Sequence, residues 1–121
     1  MSERKKILVV DDDDLLREAL QLKISDWGYH VDVLADGMDV LRGYNPGAYH
    51  AILMDTQMDH SLGYKICETL RKQDQKVIII GMSADKTYHQ QWMAAGANSF
   101  LPKIKLNRDL QSILYQHFEK V

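Results

Sequence analysis

The chain has 121 residues, of which 45% are apolar and 26% are charged, the size and composition of one ordinary globular domain. Its net charge is −2 and its basic residues are scattered, which argues against direct nucleic-acid binding. The single cysteine, Cys67, cannot form an internal disulfide, no apolar run is long enough to span a bilayer, and no signal-peptide pattern opens the chain. We therefore expect a cytoplasmic protein that does not enter the membrane.

Short apolar runs typical of buried strands alternate along the chain with segments of helical spacing. The first run ends at four consecutive aspartates, of which Asp13 or Asp14 is suited to be a helix N-cap, and Gly28 is suited to end that helix. The predicted strands are residues 7–10, 31–35, 52–55, 76–82 and 99–101. The predicted helices are residues 15–27, 38–41, 64–71, 88–95 and 106–118.

This strand–helix order, repeated five times with short connections, predicts a parallel sheet with helices on both faces and right-handed crossovers. Five strands in about 120 residues favour the smaller doubly wound α/β architecture, which is flavodoxin-like with strand order 2-1-3-4-5 and five helices. No internal repeat, low-complexity segment or linker interrupts the pattern. We expect one domain over residues 1–121.

The polar side chains that follow the predicted strands are expected to meet at one edge of the sheet. Asp55 ends an apolar run, where a charge is unfavourable unless the strand also ends there. Asp11 and Asp12 follow the first strand, Ser83 ends the fourth, and Lys103 follows the fifth. Because the carboxyl ends of parallel strands border one crevice, three carboxylates, a hydroxyl and an ammonium would share it.

These residue types together favour chemistry on a phosphoryl group. Clustered carboxylates repel one another, and a hard cation such as Mg²⁺ relieves that repulsion while it also binds phosphoryl oxygens. One carboxylate is then free to act as a nucleophile toward phosphorus. An ammonium and a hydroxyl are suited to the phosphoryl oxygens. The site is therefore equipped to form an aspartyl phosphate.

Four segments of the sequence are similar to one protein family. They are residues 7–12, 52–55, 77–84 and 96–103, and they occur in the family's order and at family-like spacing. The chain resembles the receiver domain of bacterial response regulators of two-component systems, including chemotaxis regulators, over essentially its whole length. The resemblance implies a phosphorylation-dependent signalling switch that is not a turnover enzyme, apart from self-phosphorylation and autodephosphorylation.

The resemblance also implies a role for each site residue. Asp55 corresponds to the phosphoacceptor, Asp12 to a direct ligand of Mg²⁺ (or Mn²⁺), and Asp11 to the residue that holds metal-bound water. The backbone carbonyl of Gln57 corresponds to a further metal ligand. Lys103 corresponds to the lysine that contacts the phosphoryl group.

Two further residues correspond to the conformational switch. Ser83 matches the hydroxyl that moves toward the phosphoryl group, and Phe100 matches the aromatic residue that turns inward, although plain core packing also explains Phe100. The implied donor is a histidine kinase or a histidine phosphotransfer protein. The implied output is a changed surface on helix 4, strand 5 and helix 5 that binds a downstream protein target or a second copy of the chain.

Three positions depart from the family's usual pattern: Asp59 and Ile104 replace prolines, and Leu62 replaces an aspartate. The family's lysine–proline bond is commonly cis, whereas a non-proline cis bond costs about 3 kcal/mol. We therefore expect a trans bond between Lys103 and Ile104, and the direction of the Lys103 ammonium becomes the point to examine.

Two other functions remain open from the sequence. Asp11 and Asp13 after an apolar strand resemble the nucleophile motif of haloacid-dehalogenase-type phosphohydrolases, but Leu15 departs from that motif and the chain is too short for their core. Alternatively, the departures at Asp59 and Ile104 allow a receiver-like binding module that works without phosphorylation. Whether the chain is a stand-alone regulator or one domain of a longer protein is also open.

Overall fold

The computed structural model describes residues 4–119 as alternating strands and helices. The sheet strands are β1 (Lys6–Val10), β2 (His30–Leu34), β3 (Ala51–Asp55), β4 (Ile78–Ser83) and β5 (Ser99–Pro102). The helices are α1 (Asp14–Asp26), α2 (Gly37–Leu41), α3 (Gly63–Gln73), α4 (His89–Ala94) and α5 (Leu106–Glu119). The predicted domain limits at residues 1 and 121 lie outside the described residues.

The five strands form one parallel sheet in the order β2-β1-β3-β4-β5. This order and the alternation with helices confirm the predicted flavodoxin-like doubly wound fold. β3 is the central strand and all five of its residues are buried. Asp55 at its carboxyl end is therefore held by a strand that is buried throughout and paired on both sides.

Apolar side chains cover both faces of the sheet. On one face, residues of β1, β3 and β4 pack with α1 and α5 around Ile24, Leu53 and Leu110. On the other, they pack with α2, α3 and α4 around Ile52, Leu70 and Trp92. Strands buried on both faces are the expected consequence of continuous apolar runs. None of the helices within residues 4–119 is long and apolar enough to cross a membrane.

Local hydrogen bonds explain where helix α1 begins and ends. The Asp13 carboxylate accepts from the amides of Leu15 and Leu16, which satisfies two donors at the start of α1. Gly28, with φ of +102°, follows the helix in the left-handed conformation that glycine tolerates best. Asp13, one of the two predicted residues, is thus the N-cap, and the predicted stop at Gly28 is confirmed.

Strand β4 begins two residues later than predicted because the Asp74 side chain accepts hydrogen bonds from the backbone amides just before it. The Asp74 carboxylate accepts from the backbone amides of Lys76 and Val77 at 3.0 and 3.1 Å. These two donors are therefore unavailable to the sheet. The ladder starts only at Ile78, so the predicted strand limit at residue 76 was wrong.

Two segments near the carboxyl edge of the sheet also differ from the prediction. The polar segment after β3 forms a short antiparallel hairpin, Gln57–Met58 with Ser61–Leu62, which the sequence pattern did not indicate. The predicted fourth helix opens with a 3₁₀ turn, Lys86–Tyr88, because the Asp85 carboxylate accepts from the Thr87 amide and caps it.

Candidate functional site

The strand register brings the predicted site residues to one edge of the sheet. Asp55 ends β3 opposite Met82 of β4, so Ser83 lies one residue beyond that pair. Ser83 in turn pairs with Pro102, and Lys103 follows directly. Asp11 continues β1 beside the end of β3. Each residue reaches the edge because its strand ends there, as the sequence predicts.

Lys103 extends its ammonium into the carboxylate cluster. Its Nζ lies 3.0 Å from Oδ2 of Asp11 and 3.1 Å from Oδ1 of Asp55. No cis peptide bond occurs within residues 4–119, so the expected trans bond between Lys103 and Ile104 is confirmed. The Ile104 side chain is 89% exposed and points away from the core. The missing proline therefore does not turn Lys103 out of the site.

Three carboxylates lie close enough to hold one cation. Ligand oxygens of Asp11, Asp12 and Asp55 all lie within 4.8 Å of one another. Oδ1 of Asp11 accepts from the Asp13 amide at 2.8 Å. Oδ2 of Asp11 is buried and, within the described part of the chain, has no partner with hydrogen-bond geometry, although Lys103 Nζ is 3.0 Å away. A buried carboxylate oxygen with spare acceptor capacity fits a hard cation.

The pKa values at this edge show that the carboxylates are crowded. Burial and the charge of Asp11 raise the pKa of Asp55 to about 6, although Lys103 opposes the shift. Burial and the charges of Asp11 and Asp59 raise the pKa of Asp12. Burial alone would lower the pKa of Lys103, but its contacts with Asp11 and Asp55 raise it on balance. A divalent cation would relieve the same repulsion.

Asp59, one of the departures from the family pattern, extends the negative charge of the site. It lines a cleft of about 790 Å³ together with Asp12 and Asp36. His60 also borders this cleft, and its Nδ1 lies 2.9 Å from Oδ2 of Asp36. The side of the site next to Asp12 is therefore more acidic than a proline at position 59 would leave it.

Gln57 and Ser83 both follow Asp55 in the sequence, and each comes at or just beyond the end of a sheet strand. Ser83 is buried, and its Oγ accepts from the Asp85 amide at 3.1 Å. Gln57 lies in the hairpin, two residues after Asp55, and its side-chain amide donates to the Tyr88 hydroxyl at 2.9 Å. The roles of the Ser83 hydroxyl and the Gln57 carbonyl stay predictions.

Phe100 lies in β5 and is half-buried beside α4. Its ring stacks on His89 with 5.2 Å between centroids and 18° between planes, and it packs against the apolar cluster on that face. This contact joins β5 to α4, two of the three elements of the predicted output surface. It is compatible with both interpretations of Phe100, a switch residue and plain packing.

Three residues at the site were not indicated by the sequence pattern. Nη1 of Arg17 donates to the backbone carbonyl of Asp11 at 2.8 Å. The buried Thr56 hydroxyl donates to the Met82 carbonyl and accepts from Nε1 of Trp92, both at 2.8 Å. Thr56 and Trp92 are 36 residues apart, and no local spacing links such a pair.

The structure is a doubly wound α/β domain with a carboxylate cluster, a hydroxyl and a lysine at the carboxyl edge of its sheet. The sequence profile described as the response regulator receiver domain matches residues 7–115. The chain belongs to this family, the receiver domains of two-component response regulators.

Named relatives and solved structures agree with that assignment. The response regulator MprA of a Mycobacterium species is 32% identical over 100 residues, which are 81% of this chain and 44% of the relative. Response regulator RR06 of Streptococcus pneumoniae is 30% identical over 86 residues, or 70% of this chain and 40% of the relative. The chain thus spans less than half the length of these curated relatives.

Two solved structures resemble the chain over nearly its whole length. The response regulator TrrA of Thermotoga maritima, in complex with Mg²⁺ and beryllium fluoride, has a TM-score of 0.86 and 25% identity, covering 94% of this chain and 99% of that one. The receiver domain of the sensor histidine kinase PA1611 of Pseudomonas aeruginosa, with a magnesium ion in its active-site cleft, has a TM-score of 0.84 and 27% identity, covering 98% and 100%.

Proposed function

We propose that this chain is a phosphorylation-dependent signalling switch that accepts a phosphoryl group on Asp55. The observation that carries the proposal is the Lys103 ammonium, which lies 3.1 Å from the Asp55 carboxylate and 3.0 Å from that of Asp11. A cation held at this distance is positioned for the oxygens of a phosphoryl group attached to Asp55. The phosphoryl donor is a histidine kinase or a histidine phosphotransfer protein.

The transfer is a displacement at phosphorus. A carboxylate oxygen of Asp55 bonds to the phosphorus of a phosphohistidine while the bond between phosphorus and the imidazole nitrogen breaks. The electron pair remains on that nitrogen, which takes up a proton. Lys103 and the Ser83 hydroxyl then contact the phosphoryl oxygens, and hydrolysis by water returns Asp55 to its free state.

The metal in this proposal is Mg²⁺, with Mn²⁺ as an alternative. Asp11, Asp12, Asp55 and the Gln57 carbonyl would hold it. Bound Mg²⁺ supplies positive charge to the carboxylates and to the transferred phosphoryl oxygens. The cluster of the Asp11, Asp12 and Asp55 carboxylates and the magnesium in the two related structures support this assignment.

The proposed output is a protein contact. Phosphorylation would change the surface of α4, β5 and α5, where the stacked rings of His89 and Phe100 join two of these elements. A downstream protein or a second copy of the chain would bind that surface. In this proposal one receiver domain spans the chain and does not itself contact nucleic acid.

Incubation with acetyl phosphate and Mg²⁺ tests the proposal. Intact mass is expected to increase by one phosphoryl group, and hydroxylamine is expected to remove it because an acyl phosphate reacts with that nucleophile. Peptide mapping is expected to place the modification on Asp55. A chain that gains no mass under these conditions, or that is modified elsewhere, would contradict it.

The Lys103→Met variant is expected to accumulate the phosphoryl adduct about 10- to 100-fold more slowly, since a charge-assisted contact contributes about 1.5–3 kcal/mol. Its matched control is Lys105→Met, an exposed lysine two residues later, which is expected to react at the wild-type rate. The initial rate of mass increase with acetyl phosphate measures both. Equal rates for the two variants would remove Lys103 from the proposed site.

A further inference from the structure

One buried hydroxyl joins three segments around the phosphoacceptor. Thr56 directly follows Asp55 and is fully buried. Its Oγ1 donates to the carbonyl of Met82 at 2.8 Å and accepts from the indole Nε1 of Trp92 at 2.8 Å. Its backbone carbonyl accepts from the Gly63 amide at 2.7 Å. Thr56 is thereby fixed to β4, to α4 and to the start of α3.

These hydrogen bonds matter because of where each partner of Thr56 lies in the fold. The Met82 carbonyl lies in the same rigid peptide plane as the Ser83 amide, so the Thr56 hydroxyl restrains the backbone that orients Ser83. Thr56 is covalently bonded to Asp55 on the other side. Trp92 belongs to α4, which lies outside the carboxylate cluster. A single hydroxyl therefore connects α4 to the segment that carries Asp55 and to the segment that carries Ser83.

The indole ring of Trp92 fills a space that the surrounding backbone leaves open. Trp92 is fully buried, and a Cβ added at Gly81 would overlap its ring atoms. A Cβ added at Gly63 would overlap both the Asp55 carbonyl and the same ring. Tyr64 packs against the indole edge at 6.4 Å between centroids. The ring therefore has little freedom to move independently of β4 and the Asp55 backbone.

Because these hydrogen bonds are buried, breaking any one of them is costly. The Trp92 N–H, the Thr56 hydroxyl and the Met82 carbonyl are shielded from water, so a displacement that separates them leaves unpaired buried polar groups. A closely packed arrangement of this kind changes between discrete positions and does not deform continuously. A displacement of Asp55 or Ser83 therefore alters the Thr56–Trp92 hydrogen bond, and with it the position of α4.

We propose that Thr56 and Trp92 are positioning residues that couple the phosphoryl site to α4 through the Thr56 hydroxyl. The inference rests on the proposed function, since it needs Asp55 to be modified. The coupling is reciprocal, so a partner that fixes α4 also changes how readily Asp55 holds a phosphoryl group. This route is separate from the Phe100–His89 contact, which reaches α4 from β5.

Indole N–H resonances in a ¹H–¹⁵N spectrum give a direct test. The chain contains two tryptophans, Trp27 and Trp92; Trp27 follows α1, away from Thr56, and is the internal control. Addition of Mg²⁺ and beryllofluoride is expected to shift the Trp92 indole resonance and to leave that of Trp27 in place. The Trp27→Phe variant assigns the two signals.

The matched pair Thr56→Val and Thr56→Ser separates the hydroxyl from the packing. Valine keeps the shape of threonine without the hydroxyl, whereas serine keeps the hydroxyl. Both variants are expected to bind beryllofluoride at Asp55. The amide shifts of residues 89–94 on binding are expected to be clearly smaller in Thr56→Val and retained in Thr56→Ser.

Two results would overturn the coupling while the proposed function stands. One is a Trp92 indole resonance that does not respond in the wild-type chain although amides near Asp55 and Ser83 do. The other is an α4 response in Thr56→Val equal to that in Thr56→Ser. The wild-type indole measurement decides the question even if Thr56→Val fails to fold. A spectrum in which no resonance responds to beryllofluoride counts instead against the proposed function.

Discussion

Replacing Asp55 with asparagine is expected to abolish the phosphoryl adduct and to make the metal-free protein more stable at neutral pH by about 2–3 kcal/mol. The gain follows from crowding, because burial and Asp11 raise the pKa of Asp55 from 3.8 to about 6 in the folded chain. An ionised carboxylate at this position therefore destabilises the fold, whereas the neutral amide of asparagine carries no charge that Asp11 can repel.

The pH dependence follows from the direction of the shift. A raised pKa in the folded state contributes stability that is fully present below about pH 4 and is lost as the pH rises through about 6. The wild-type chain should lose this contribution over that window, and Asp55→Asn should not. Urea denaturation across the window, without divalent cations, measures the difference between the two.

Mg²⁺ and a surface carboxylate provide the controls for this prediction. Mg²⁺ at about 100 times its dissociation constant should stabilise the wild-type chain by about 2.7 kcal/mol and Asp55→Asn by much less. Glu18→Gln, which removes an exposed charge from α1, should change stability by less than about 0.5 kcal/mol. An Asp55→Asn chain that is less stable than wild type at neutral pH would refute the crowding argument.

Replacing Gly81 with alanine is expected to lower the free energy of unfolding by about 3 kcal/mol, because the added methyl group overlaps the buried Trp92 ring. Strand β4 and α4 cannot both keep their positions around the larger residue. Urea denaturation measures this loss in the free energy of unfolding.

The same substitution in a Trp92→Leu background provides the control. Since leucine vacates part of the space, Gly81→Ala is expected to cost less than about 1 kcal/mol there, and the two changes should couple strongly. If Gly81→Ala costs the same in both backgrounds, the overlap with Trp92 is not the cause of the destabilisation.

The site residues were predictable because strand ends in a parallel sheet share one edge. Asp11, Asp55 and Ser83 each terminate an apolar run, so the alternation of strands and helices was sufficient to bring them together. The direction of the Lys103 side chain was not predictable. It depends on backbone angles around the Lys103–Ile104 bond, and the structure shows that a trans bond still brings the ammonium to the carboxylates.

One local and one long-range polar contact account for features of the fold that the sequence did not predict. The start of β4 depends on the Asp74 carboxylate, which captures the Lys76 and Val77 amides. The contact between Thr56 and Trp92 joins residues with no periodic relation, and it exists because Gly63 and Gly81 leave room for the indole. The Thr56–Trp92 contact follows from the packed fold and not from a local residue pattern.

The departures from the family pattern have different consequences. Ile104 is exposed and leaves Lys103 in place, which weakens the case for a binding module that works without phosphorylation. Asp59 adds a charge that raises the pKa of Asp12 and extends the acidic cleft. We therefore expect the acidic side of the site, and not its lysine, to distinguish this chain within its family.

A crystal structure of the chain with Mg²⁺ and beryllofluoride tests the central claim most directly. The predicted result is beryllofluoride bonded to Asp55 and contacted by Ser83 and Lys103, with one Mg²⁺ held by the neighbouring carboxylates and the Gln57 carbonyl. Crystals grown with both ligands in excess that show an unmodified Asp55, with Lys103 still paired to it, would contradict the account.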